Sequence, residues 1–110
     1  MTREAKKYLY DISAAIEHIF SVHLSATPSK ESYQVNLTVQ RAIERELAII
    51  GEACLKLTRM QISLEKGDRM INRRNTLVHQ YDAFHPSSIW DLVHHDLPPL
   101  KEEVDELLKP

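Results

Sequence analysis

Apolar residues recur every three or four positions along most of this chain. From Arg3 to about Leu24 the stripe is Leu9, Ile12, Ala15, Ile16, Ile19 and Phe20, which predicts an amphipathic helix. "SATPSKESY" breaks the stripe, with Pro28 as punctuation. A second stripe runs through Val35, Val39, Ala42, Ile43, Leu47, Ile50, Ala53 and Leu57. It predicts one long helix from about Ser32 to Ile62, the spine of a bundle. Gly51 lies inside that helix. An interior glycine costs about 1 kcal/mol against alanine, so close approach of another backbone is a physical reason for it. Gly67-Asp68 reads as a turn with Asp68 as N-cap, opening a third helix from about Arg69 to Gln80. "DAFHPSS" follows as a loop, with Pro86 placed to start the next helix. Pro98 and Pro99 are expected to interrupt that helix, leaving "SIWDLVHHD" as a short piece. They would open a last helix, "LKEEVDELLK", whose glutamate-rich first turn suits the helix dipole. The predicted fold is all-α: an up-and-down bundle of four main helices plus a short C-terminal one, in a single domain over residues 1–110.

Composition narrows the functional classes. With 14 basic and 16 acidic residues the formal net charge is -2, so the chain has no overall pull toward nucleic acid or membrane. Any RNA contact has to come from a local basic patch. Cys54 is the one cysteine, which rules out an internal disulfide and suits a small core residue in a reducing compartment. "MTREAKKYLYD" has no apolar signal core, and no apolar run approaches the ~20 residues of a membrane span. The expectation is a soluble, cytoplasmic protein. With two glycines in the chain, a phosphate-binding glycine loop is absent.

Residues 69–81, "RMINRRNTLVHQY", concentrate the chemistry. At about 100° per residue, Asn75 and His79 share one face, and Arg74 and Tyr81 share the adjacent one. Arg74 and His79 are not aligned, but a long guanidinium reaches across the ~7.5 Å of rise between them. Arginine offers a planar donor fork for phosphate. Histidine takes up and returns protons near neutral pH. Asn75 would orient the imidazole or bind a phosphate oxygen, and Tyr81 would stack on a base or donate its hydroxyl. This is a minimal set for RNA cleavage without a metal: a base for the ribose 2′-OH, a cation for the phosphorane, an acid for the leaving 5′-oxygen. The bland alternative is a solvated basic face of an amphipathic helix.

Four blocks in order carry a resemblance. These are "AIIGEACLKL", the Arg74-Asn75 pair, the His79-x-Tyr81 end, and "SIWDLVHHDLPPL". Together they resemble the HepT-like branch of the HEPN superfamily, small all-helical toxins of toxin–antitoxin pairs. The resemblance spans nearly the whole chain. It implies a metal-independent endoribonuclease that needs no cofactor, working as a homodimer with both R-x4-H-x-Y motifs facing one cleft. Arg74 and His79 match the catalytic arginine and histidine, and Asn75 the polar residue that follows the arginine. Tyr81 matches the tyrosine adenylylated by an MntA-like nucleotidyltransferase antitoxin. One departure is Asn72-Arg73, where many relatives have Gly-Met.

Other residues carry less. Glu52, beside Gly51, is a candidate to hold Arg74 or His79 by a charge-assisted hydrogen bond. Arg73 is a candidate phosphate contact, whereas Arg69 reads as surface charge. No metal site is expected: His94 and His95 diverge on a helix, and His85 and Asp96 complete no i, i+4 set. His18 and His23 read as surface or helix-terminus residues. Trp90, Tyr8, Tyr10 and Tyr33 read as packing or interface residues. Two other functions stay open: a non-catalytic helical partner of a nucleotidyltransferase, and a purely structural dimerisation bundle.

Overall fold

The structure is a computed structural model that describes residues 1–79 and 85–110, and within 75–79 the backbone alone. Five helices in chain order make up the described residues: α1 (Arg3–His18), α2 (Lys30–Gln34), α3 (Leu37–Arg59), α4 (Gly67–His79) and α5 (Pro86–Leu108). A π turn (Ile19–His23) and a 3₁₀ turn (Leu24–Ala26) extend α1. The all-α bundle read from the hydrophobic period is therefore what forms. Leu9, Ile12 and Ile16 of α1 meet Ile43, Leu47, Ile50 and Leu57 of α3, and Leu97, Leu100 and Val104 of α5, in one buried cluster. Fully burying each such side chain contributes roughly 1.5–3 kcal/mol. No helix among the described residues is long and apolar enough to cross a membrane.

Three boundaries differ from the sequence reading. The spine helix does not begin at Ser32. Asn36 starts α3 as an N-cap, its Oδ1 accepting from the Val39 N–H at 3.0 Å. The capped residues before it form the separate α2, whose Ser29 and Ser32 make a reciprocal capping box. Val35, which continues the apolar period, sits in the break and is 85% exposed. The bundle's short helix is thus α2, not a C-terminal one.

The second difference is at Pro98 and Pro99, which lie inside an unbroken α5. Each proline removes one backbone donor, so the carbonyls of His94 and His95 lose their intrahelical partners. All four of those residues are exposed, where water can satisfy the freed groups. Leu97 and Leu100 are fully buried and hold the helix on course from the other side.

The third difference is α4, which begins at Gly67, with Asp68 in its first turn. An aromatic group joins α2 to α5: the Tyr33 and Trp90 rings lie 5.7 Å apart, and Trp90 and His94 4.2 Å apart. Tyr33 is a core residue as expected, but Tyr10 is exposed.

Candidate functional site

The site is set by the crossing of α3 and α4. Gly51 of α3 is buried against α4. A Cβ there would overlap Arg74 Cβ and lie 2.6 Å from the Met70 carbonyl oxygen. The absent side chain at Gly51 therefore lets the α4 backbone come close and sets the depth at which Arg74 leaves it. This is the close backbone approach expected from an interior glycine.

One residue along α3, Glu52 takes up the guanidinium: Arg74 Nη2 lies 3.0 Å from Glu52 Oε2. Lys56 Nζ approaches the other oxygen at 3.9 Å. Arg74 is about a third exposed and Glu52 somewhat more, so the pair contributes little to stability. What it does contribute is a fixed direction for a planar cation. Arg74 and Glu52 line a hollow of about 350 Å³ between α1 and α3, with Lys7, Asp11 and Arg45 also at its wall. Lys7 and Asp11 pair at 2.7 Å, and that hydrogen bond holds the ammonium above its ordinary pKa. Sequence reasoning missed these wall residues. Their positions on α1 and on the early part of α3 become relevant to Arg74 only once the helices pack.

Arg73 does not join this group. Although it follows Asn72 and precedes Arg74, it lines a second hollow, of about 450 Å³, on the α5 side of α4 with Lys66, Arg69 and His95. Neighbours on a helix point about 100° apart, so adjacent arginines serve opposite flanks. In that hollow Arg69 Nη2 lies 3.3 Å from Asp96 Oδ2, and Asp96 is 2% exposed. Arg69 is therefore not mere surface charge. It is the cation opposite a buried carboxylate.

Asn75 and His79 lie on the described α4 backbone. Their side chains, and Tyr81, fall outside the described residues. Cys54 is buried, and that burial, helped by Glu103, pushes its thiol up to about 12. At neutral pH it stays a protonated core thiol, not a nucleophile.

The described residues thus form a small all-α bundle in which Glu52 of α3 steers Arg74 of α4. The chain belongs to the HepT-like family, whose model, described as "Ribonuclease HepT-like", matches residues 12–107. It is 32% identical over 115 residues, covering 99% of this chain and 100% of the relative, to "Probable ribonuclease HepT" of Thermococcus cleftensis. It is 26% identical over 110 residues, covering 97% of this chain and 93% of the relative, to "Putative RNase MJ0125" of Methanocaldococcus jannaschii. "Putative RNase MJ1380" of the same organism is 27% identical over 106 residues, covering 94% of this chain and 95% of the relative. No solved structure matches the chain. Family and names together support ribonuclease activity in general.

Proposed function

We propose that this protein is a metal-independent endoribonuclease toxin of a type VII-like toxin–antitoxin pair. The observation that carries the reading is the Arg74 guanidinium, held 3.0 Å from Glu52 at the wall of an open hollow. A preoriented cation in a concave site suits a scissile phosphate, because it stabilises charge that develops on the phosphorane without having to reorganise. His79 takes the proton from the ribose 2′-OH, which attacks phosphorus. The bond to the 5′-oxygen breaks, and that oxygen receives a proton from an imidazolium, leaving a 2′,3′-cyclic phosphate and a 5′-hydroxyl. A homodimer brings two copies of the motif to one cleft, so one histidine serves as base and the other as acid. Asn75 orients the imidazole. A cognate nucleotidyltransferase antitoxin silences the enzyme by transferring AMP from ATP to the Tyr81 hydroxyl, releasing pyrophosphate.

The test is incubation of wild-type and His79→Ala protein with total RNA and tRNA in excess EDTA, with end-group analysis. Cyclic-phosphate fragments from the wild type alone support the mechanism. Equal cleavage by His79→Ala refutes the role of His79. Absence of cleavage by an intact wild-type dimer with Tyr81 unmodified shifts the assignment to a non-catalytic partner of the nucleotidyltransferase.

A further inference from the structure

At the other end of the α1–α3 seam stands a cluster that the ribonuclease reading does not use. His18 ends α1 and His23 ends the π turn that follows it. On an ideal α-helix, residues five apart point about 140° away from each other. A π turn lengthens the repeat to i→i+5 and stacks such residues on one face. The two rings accordingly lie 4.7 Å apart. Both turn a nitrogen toward the same oxygen of Glu46 on α3: His18 Nδ1 at 2.6 Å and His23 Nε2 at 3.3 Å. The three candidate ligand atoms lie within 4.8 Å of one another. His18 and His23 stand at helix termini, as expected, and His18 is exposed; what the sequence did not show is that both converge on one nearly buried carboxylate. The sequence hid this because the π turn changes the period.

We propose that His18, His23 and Glu46 form a binding site for a divalent transition-metal ion of the zinc class. Two imidazoles and one carboxylate are a ligand set zinc accepts, with the fourth position left open. Metal–ligand bonds of about 2.0–2.1 Å in tetrahedral geometry place donor atoms about 3.3 Å apart. The His23–Glu46 separation of 3.3 Å already meets this. The His18–Glu46 contact has to open from 2.6 Å and the two histidine nitrogens, up to 4.8 Å apart, have to close, both by turning the His18 side chain, which is 53% exposed. His18 and Glu46, though not His23, also line a hollow of about 540 Å³ with Glu17 and Ser21, which gives an ion an entry path. Glu46 and Glu52 are six residues apart on α3, about 9 Å of rise. Asp11 and Ile49 line both this entry hollow and the one beside Arg74, but none of the three proposed ligands lines the Arg74 hollow, so the metal site does not rest on the ribonuclease reading. A bound ion would tie the π turn to α3.

The experiment uses the full chain, stripped with EDTA and dialysed. Zn²⁺ is titrated by calorimetry and Co²⁺ by visible absorption, with thermal unfolding recorded in parallel. The expected result is one ion per chain with micromolar-order affinity, intense tetrahedral Co²⁺ bands that Zn²⁺ displaces, and a Zn²⁺-dependent rise in Tm. Losing groups that merely orient a ligand weakens metal sites about 10–100-fold, so His18→Ala and His23→Gln should each lose at least tenfold. A His94→Ala/His95→Ala variant should bind as wild type does. His18→Ala removes a largely exposed ring, and equal Tm values in EDTA show that it folds. The proposal is overturned if the wild type binds no Zn²⁺ at 100-micromolar-order concentration, or if binding survives unchanged in His18→Ala and His23→Gln.

Discussion

Gly51→Ala is the sharpest probe of how the fold places Arg74. The added Cβ would stand 2.6 Å from the Met70 carbonyl oxygen, whereas ordinary contact begins at 3.4 Å. The α4 backbone must therefore retreat by about 0.8 Å, and further to clear Arg74 Cβ. Overpacking of this kind costs roughly 1–3 kcal/mol. Alanine returns about 1 kcal/mol of helix propensity, so the net loss is about 0–2 kcal/mol, with Tm lowered by about 4–8 °C for each kcal/mol. Activity should suffer more. A 1 Å misplacement can cost about a hundredfold in rate, so RNA cleavage should fall tens-fold while the protein remains folded. Gly67→Ala is the control: its Cβ would meet Leu64 Cβ at 3.6 Å, an ordinary contact. That variant should keep both its Tm and its cleavage rate. Urea or thermal unfolding and a single-turnover cleavage assay on both variants decide the matter. A Gly51→Ala protein that is more stable than wild type and cleaves at the same rate would refute the argument that the crossing is tight.

Three further outcomes follow from the same geometry. Arg69→Ala leaves Asp96, 2% exposed, opposite no Arg69 cation. Stability should drop by about 1–3 kcal/mol, a discounted figure because Arg69 is 57% exposed. Arg69→Ala/Asp96→Asn should recover most of the drop in urea unfolding, and equal losses in the single and double variants would contradict this. Glu52→Gln removes the charge facing Arg74 from a side chain that is 42% exposed. Its Tm should move little while kcat/KM for RNA falls, so wild-type kinetics would show that Glu52 does not position Arg74. In alkali, burial keeps the Cys54 thiol protonated up to about 12 in the folded chain, against 9.0 for an ordinary thiol. Its stabilising contribution is fully present below pH 9.0 and is lost as pH rises toward 12, because the unfolded chain gives up the proton first. Burial raises the Tyr33 hydroxyl in the same sense. Cys54→Ala should flatten the decline of the urea midpoint above pH 9, and an unchanged slope would argue against the effect.

What the sequence disclosed, and what it withheld, divides along physical lines. The stripes through Leu9, Ile12 and Ile16 and through Ile43, Leu47 and Ile50 predict helices with buried faces, and those residues form the core. Gly51 announced a close crossing because glycine inside a helix needs a reason. Val35 misled because its hydrophobicity kept the period, while the decisive signal was the polar side chain of Asn36 beside it. Pro98 and Pro99 misled because tertiary burial of Leu97 and Leu100 outweighs the local penalty. Arg74 was legible as a candidate from its motif, but its partners at the hollow, Asp11 and Arg45, lie far away along the chain. His18 and His23 were hidden by a change of helical repeat, which residue spacing alone does not show.

The double proline in α5 has a consequence for cooperativity. Two successive rungs are missing from its hydrogen-bond ladder, at Pro98 and Pro99. The rod is continuous in shape, but the backbone ladder joining residues 100–108 to residues 86–97 is thinned at the prolines, so side-chain packing carries more of that joint. Local opening can start at the C-terminal end and stop at the prolines without unzipping the half that carries Trp90 and Asp96. In native-state hydrogen exchange, α5 should therefore read as two units. Amides beyond Pro99 would open at lower free energy than those before Pro98, so the wall opposite Arg69 keeps its shape while the chain end frays.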